Sequence, residues 1–122
     1  MKRGIILFAH GSRDAAWARP FERIAASLEK RSPDCAVKLA YLELMRPSLE
    51  EAVAALAKQK ITAIRVVPLF LGQGGHVKED LPRIVAAVSA DYRGLALTLE
   101  PAIGEEPRLI EAIAELISAR SS

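Results

Sequence analysis

The side chains best suited to chemistry at neutral pH are scarce in this chain. There are two histidines, His10 and His76. His10 directly follows the apolar run Ile5-Ile6-Leu7-Phe8-Ala9, and His76 closes the glycine-rich stretch after a second apolar run, Ile61 to Leu71. Glu43 stands at the end of a third run, beginning at Val37. Two imidazoles and a carboxylate suit a divalent transition metal that keeps open coordination positions. They equally suit a general acid–base pair, because imidazole titrates near neutrality. Spacing alone leaves both readings open, with His10, His76 and Glu43 as the catalytic candidates and His10 and His76 as the metal candidates.

Other chemistries fit less well. His10-Gly11-Ser12-Arg13-Asp14 lacks the Gly-x-Ser-x-Gly frame of a nucleophile elbow. Gly72-Gln73-Gly74-Gly75 is followed by no Gly-Lys-Ser/Thr and misses the dinucleotide fingerprint. Glycines before a helix still present backbone N–H groups to anions, which makes Gly74 and Gly75 ligand-binding candidates. A flavin reading needs aromatic side chains to flank the ring, and the loops after Ile5–Ala9 and after Ile61–Leu71 have no Trp or Tyr. A metal carrier would use the same histidines but has no need of a wide basic cleft. Four bases fall near the same edge: Arg13, Arg46, Lys78 and Arg83. Guanidinium forks match carboxylates, so these point to an acidic ligand.

These residues need a scaffold that brings them together. Ile5 to Ala9 is a short continuous apolar run, as in a strand buried on both faces. Trp17, Phe21, Ile24 and Leu28 recur at helical spacing, with Pro20 kinking that helix or marking its true start. Val37, Leu39 and Tyr41 alternate with wetter positions, as in an edge strand. Ser48 and Glu51 form a capping box ahead of Leu49, Val53 and Leu56. Ile61 to Leu71 reads as a second central strand, loosened near Pro68. Gly72 to His76 reads as a loop. Leu81, Ile84, Val85 and Val88 then form a helical face, with Asp80 as N-cap and Pro82 in the first turn. Leu95 to Leu99 is a fourth strand. Leu109, Ile110, Ile113, Leu116 and Ile117 mark a last helix, with Pro107 near its start. The order βαβαβαβα demands a parallel sheet with helices on both faces. With the two most apolar strands central, the expected fold is a three-layer α/β/α domain of flavodoxin-like strand order 2-1-3-4, over residues 1–122. Ligands bind such a sheet where the strand order switches, here between the first and third strands. Both histidines fall there, and Glu43 opens onto the same edge.

Composition narrows the class. In 122 residues, hydrophobic side chains are 51% and charged ones 26%, which fits a packed core and excludes disorder. Lys plus Arg is 17 against 15 for Asp plus Glu, a net charge of +2, so neither nucleic acid nor a membrane surface is the expected partner. The apolar run behind the basic Met1-Lys2-Arg3 start is shorter than the roughly 7–15 residues of a signal peptide core. No run approaches the roughly 20 residues of a membrane span. The single cysteine, Cys35, excludes an internal disulfide and reads as a buried bystander in a reducing, cytoplasmic protein. A mean hydropathy of +0.16 suggests apolar surface left to cover, near Leu44, Met45 and Phe70.

Three segments together resemble the small, single-domain form of the sirohydrochlorin cobaltochelatase family. They are Phe8 to Asp14, Tyr41-Leu42-Glu43 with Pro47-Ser48, and Leu69 to Gly72 running on through Gly75-His76-Val77-Lys78-Glu79-Asp80-Leu81-Pro82. Pro101-Ala102-Ile103-Gly104 also sits where that family has its last loop on the active edge. The resemblance implies ATP-independent insertion of a divalent metal, cobalt first and iron or nickel as alternatives, into the octacarboxylate tetrapyrrole sirohydrochlorin. It implies no cofactor beyond that metal substrate. It implies that His10 and His76 bind the metal and that Glu43 lies nearby. Ser12, Arg13, Arg46, Gly74, Gly75, Lys78 and Arg83 are the expected substrate contacts. Larger relatives carry two such domains facing each other across a cleft, so the resemblance also implies a homodimer.

Overall fold

The structure, a computed structural model, describes residues 2–120, and the side chain of His76 lies outside what is described. Ile5 to Ala9 carry no polar side chain, and they form a strand covered on both faces, β1 (Arg3–Ala9). It lies between β2 (Cys35–Tyr41) and β3 (Ala63–Pro68), and β4 (Ala96–Leu99) pairs on the far side of β3. All three pairings are parallel, in the order β2-β1-β3-β4 expected from the apolar pattern. The register sets Ala9 opposite Tyr41 and Phe8 opposite Pro68, so three strands end almost level. Pro68 has no N–H to give the ladder, and pairing finishes with the Leu69 N–H on the Phe8 carbonyl at 2.8 Å.

Four helices connect and follow the strands. Asp14 caps a 3-10 turn over Ala15–Ala18, accepting the Ala16 N–H at 2.9 Å, and α1 (Arg19–Arg31) follows. Pro20 thus lies in the first turn of α1 and marks its start, where its missing N–H costs nothing. The Ser48–Glu51 capping box opens α2 (Leu49–Lys58), with both reciprocal bonds present. The third helix, α3 (Gly75–Ala90), begins earlier than the sequence suggests. Its N-cap is Gly74 and not Asp80, and Pro82 lies inside the helix and not in its first turn. The proline removes one ladder bond. The buried row of Leu81, Val85 and Val88 carries the helix through it. His76 is therefore the second residue of a helix and not part of a loop. The last helix is α4 (Pro107–Arg120).

Side chains divide between the two faces of the sheet. Ile6, Phe8, Ile64 and Val66 pack with Val53 and Leu56 of α2 and with Leu81, Val85 and Val88 of α3. Ile5, Leu7 and Val67 face the other way and meet Ala25 and Leu28 of α1. The alternation expected for β2 is muted, because α1 and α2 flank that edge strand from opposite faces and leave neither face wet. Cys35 opens β2 half-buried and so is not fully enclosed. Phe70 is 8% exposed and belongs to the core, so it is not the uncovered surface that hydropathy suggested. Leu44, at 56%, is exposed as expected. The larger departure is α4. Its apolar row was expected to close a layer against the sheet, yet Ile110 and Leu116 are 49% and 62% exposed. Its substantial packing is against the 3-10 turn Ile103–Glu105 that leads into it.

The capping box carries an acid-sensitive contact. Glu51 binds the Arg46 guanidinium and the Ser48 N–H, and these hold its carboxyl at about 2 against an ordinary 4.5. A depressed carboxylate stabilises the fold above its unfolded value and loses that contribution as pH falls. The stability gap between wild type and Glu51→Gln is expected to be full at pH 7 and to close between about pH 4.5 and 2 in urea melts. Ser48→Ala is expected to cost about 1 kcal/mol at neutral pH, as for other lost N-caps.

Candidate functional site

The level strand ends create one edge. Directly beyond β1, the chain turns at Gly11, whose φ is +101°, a conformation that side chains other than glycine rarely adopt. A Cβ there would lie 1.8 Å from the Glu43 carbonyl oxygen. Backbone bonds tie the two loops across this gap: Leu42 N–H to the Ala9 carbonyl at 2.9 Å and Glu43 N–H to the His10 carbonyl at 3.1 Å. The chain then reverses at Leu44, with φ of +66° and the Met45 N–H on the Glu43 carbonyl at 2.8 Å. That is the geometry of a strained three-residue turn.

This backbone arrangement sets His10 beside Glu43. His10 Nε2 and Glu43 Oε1 are 3.1 Å apart, with the two side chains 47% and 56% exposed. A carboxylate only accepts, so it selects the tautomer with hydrogen on Nε2 and leaves the Nδ1 lone pair open. The Phe70 ring meets the imidazole edge-on at a centroid distance of 6.3 Å. Phe70 thus forms a wall of the site, a role the sequence pattern did not indicate. The available signal was its position just past the end of a strand whose neighbour ends in histidine. Gly11 is a second such residue, and its signal in the sequence is a glycine directly after the histidine at a strand end, the mark of a tight approach.

The other expected residues are placed as follows. His76 lies in the first turn of α3, and its side chain lies outside the described residues. Among the described residues, no three His, Cys, Asp or Glu side chains gather as a metal cage. Ser12 is half-buried, and its hydroxyl accepts the Asp14 N–H at 3.1 Å, shaping the loop after β1. Arg13 and Lys78 are exposed and have no side-chain partner among the described residues. Arg46 is held by Glu51 and Arg83 by Asp80, the latter at 2.9 Å. Arg83 also lies eight residues past the start of α3, about 12 Å down the helix from the edge. Gly74 and Gly75 face open space, and α3 begins there with its amides towards the edge.

An imidazole oriented by a carboxylate at the switch point of a parallel sheet is the equipment of a metal-handling α/β enzyme. A model of the CbiX family matches residues 4–120, and the chain belongs to that family. It is 30% identical over 122 residues to a sirohydrochlorin cobaltochelatase from Methanococcoides burtonii, covering 93% of each protein. It is 31% identical to a sirohydrochlorin ferrochelatase from Bacillus subtilis, covering 93% of this chain but 43% of that one. The crystal structure of the CbiX protein from Marinobacter aquaeolei VT8 superposes with a TM-score of 0.85 at 36% identity, covering 97% of this chain and 96% of that one.

Gly11→Ala tests the close approach that builds the site. It combines a disfavoured φ with a clash against backbone, so a loss of more than about 1 kcal/mol is expected in urea melts. The His10–Glu43 pairing should be lost with it.

Proposed function

We propose that this chain inserts a divalent metal, cobalt first, into sirohydrochlorin without ATP. The observation that carries this is the exposed imidazole–carboxylate pair at the switch point, in a chain similar along its length to a sirohydrochlorin cobaltochelatase. Iron is the metal named for the Bacillus relative, and a site of nitrogen and oxygen donors accepts either metal, so supply and geometry select.

Insertion exchanges one divalent ion for two pyrrole N–H protons. The Nδ1 lone pair of His10 holds the ion while water and macrocycle nitrogens occupy its other positions. His76, from the first turn of α3, supplies a second imidazole in this reading. Two nitrogen donors bind weakly enough to release the ion, whereas a closed four-ligand cage is a storage site. Glu43 keeps the His10 ring in one tautomer and takes up a proton as it leaves. The second proton passes to solvent along the open edge.

The macrocycle's carboxylates need cationic partners. Arg13 and Lys78 are the bases best placed for this, being exposed and uncommitted, while the amides at Gly74 and Gly75 add an anion-binding end. Arg46 would have to leave Glu51, and Arg83 would have to leave Asp80. Ser12 contributes by shaping the loop. One copy of the chain offers a single open wall, and a tetrapyrrole has two faces. A homodimer with facing edges supplies the second wall, as two halves do within a longer chain. No helix of the described residues is long and apolar enough to cross a membrane, and the unpaired Cys35 suits a reducing cytoplasm.

His10→Ala is expected to abolish most metal insertion while leaving the thermal melt nearly unchanged, because the side chain is half exposed and outside the core. Glu43→Gln should reduce the rate less, since an amide still accepts the Nε2 hydrogen. Absorbance of sirohydrochlorin with cobalt, iron or nickel measures both. Equal rates in the two variants and wild type at limiting metal would contradict the assignment. Arg13→Ala and Lys78→Ala should raise KM with kcat largely kept, more so at low salt. KM values insensitive to both variants and to salt would remove the carboxylate contacts.

A further inference from the structure

Two unfavourable features coincide at one residue beside the site. Leu44 has φ of +66°, a conformation that leucine rarely adopts, and it is 56% exposed. The other described non-glycine residue at positive φ is Lys60, which follows the end of α2, where a left-handed residue is an ordinary helix stop. Leu44 ends no helix. Of the other described large apolar side chains in solvent, Ile24, Ile110, Leu116 and Ile117 lie on α1 and α4, and Leu71 borders an apolar groove with Leu28 and Ile103. Leu44 stands directly after Glu43, whose carboxylate meets His10.

The turn does not need this side chain. Backbone bonds fix the chain before it, from the Leu42 N–H to the Ala9 carbonyl and from the Glu43 N–H to the His10 carbonyl. Met45, just after it, packs on the cluster of Ala9, Ala18 and Tyr41. The Met45 N–H closes the turn on the Glu43 carbonyl. Glycine would satisfy this backbone without strain and would leave no apolar side chain in water. Strain and apolar exposure held together at a site point to a ligand that covers the residue.

The reaction proposed above identifies the part of the ligand concerned. The four nitrogens of a tetrapyrrole point to its centre, so an ion held by a side chain enters through a face of the ring and not through its edge. His10, which delivers the ion, stands over that face. The face is flat and apolar, while the carboxylates lie around the rim. We propose that Leu44 is a substrate-contact residue, packing against the face of the macrocycle beside the point of metal entry. Arg13 and Lys78 answer the charged rim, and Leu44 answers the ring. The inference rests on the proposed function and adds the residue that recognises the macrocycle itself rather than its charges.

The test uses the full chain with metal-free sirohydrochlorin, with cobalt alone, and with both. Leu44→Asn keeps a residue that tolerates positive φ and removes the apolar contact. Leu44→Gly removes the side chain and relaxes the turn. Both are expected to raise the sirohydrochlorin dissociation constant and KM about tenfold, the scale of one lost leucine contact. The value of kcat should be kept, as for lost uniform binding. Affinity for cobalt alone, by titration calorimetry, should not change, and the thermal melt of Leu44→Gly should not fall. Leu44→Met, similar in volume, should hold KM within about twofold of wild type. Should Leu44→Asn unfold, Leu44→Gly decides alone. An unchanged KM in Leu44→Gly overturns the contact. A fall in kcat or in cobalt affinity with KM kept also overturns it, because Leu44 then acts only by holding Glu43. Equal losses in Leu44→Met and Leu44→Gly overturn it too, since Met keeps an apolar side chain there. A wild type that neither binds sirohydrochlorin nor inserts metal overturns the proposed function and the contact together.

Discussion

The site depends on one constraint, the level ending of three parallel strands. Hydrogen bonding sets Ala9 beside Tyr41 and Phe8 beside Pro68, so the chain leaves all three strands in nearly one plane. Whatever follows each strand is delivered to the same edge. His10, Glu43 and Phe70 meet there although they come from three separate stretches of chain. A one-residue slip of β1 would swap the two rows that pack on its opposite faces and would also move His10 away from Glu43. Core packing and site geometry are therefore enforced by the same register.

Within that frame, glycine and strain do the local work. Gly11 lets the loop after β1 lie directly on the backbone of Glu43, closer than any side chain allows. The turn at Leu44 holds a non-glycine residue at positive φ, and the loop bonds to Ala9 and His10 keep it there. The outcome is an imidazole with one nitrogen engaged by a carboxylate, half exposed at the edge of the sheet. Such a site suits transfer of an ion rather than its retention.

Charge is spent locally rather than broadcast. The net charge of +2 creates no strong field, and two of the four bases expected at the edge are neutralised by a neighbour: Arg46 by Glu51, Arg83 by Asp80. Arg46 and Glu51 link the edge to the N-terminal turn of α2, where the same carboxylate completes the capping box. Bases that looked alike in the sequence therefore differ in what they are free to do, and only Arg13 and Lys78 among them lack a carboxylate partner within the described residues.

Periodicity in the sequence was enough to determine the strand order, the two-sided burial of β1, the capping box at Ser48 and the edge at which His10 and Glu43 emerge. Each of these follows from local residue type or from the rule that the most apolar strands take the centre. The start of α3 was not legible, because a glycine N-cap resembles a loop and Pro82 resembles a helix start; burial of Leu81, Val85 and Val88 decided it. Nor could spacing separate Phe70 as a wall of the site from Phe70 as open surface, since both place an apolar residue after a strand. The fate of α4 was the least legible of all. Its apolar row promises burial, but a helical period states only that a face must be covered, not what covers it. Where α4 lies was decided by the close approach of Gly104 to Leu71 just before Pro107 begins the helix, a contact between distant parts of the chain that exists only once the sheet has formed.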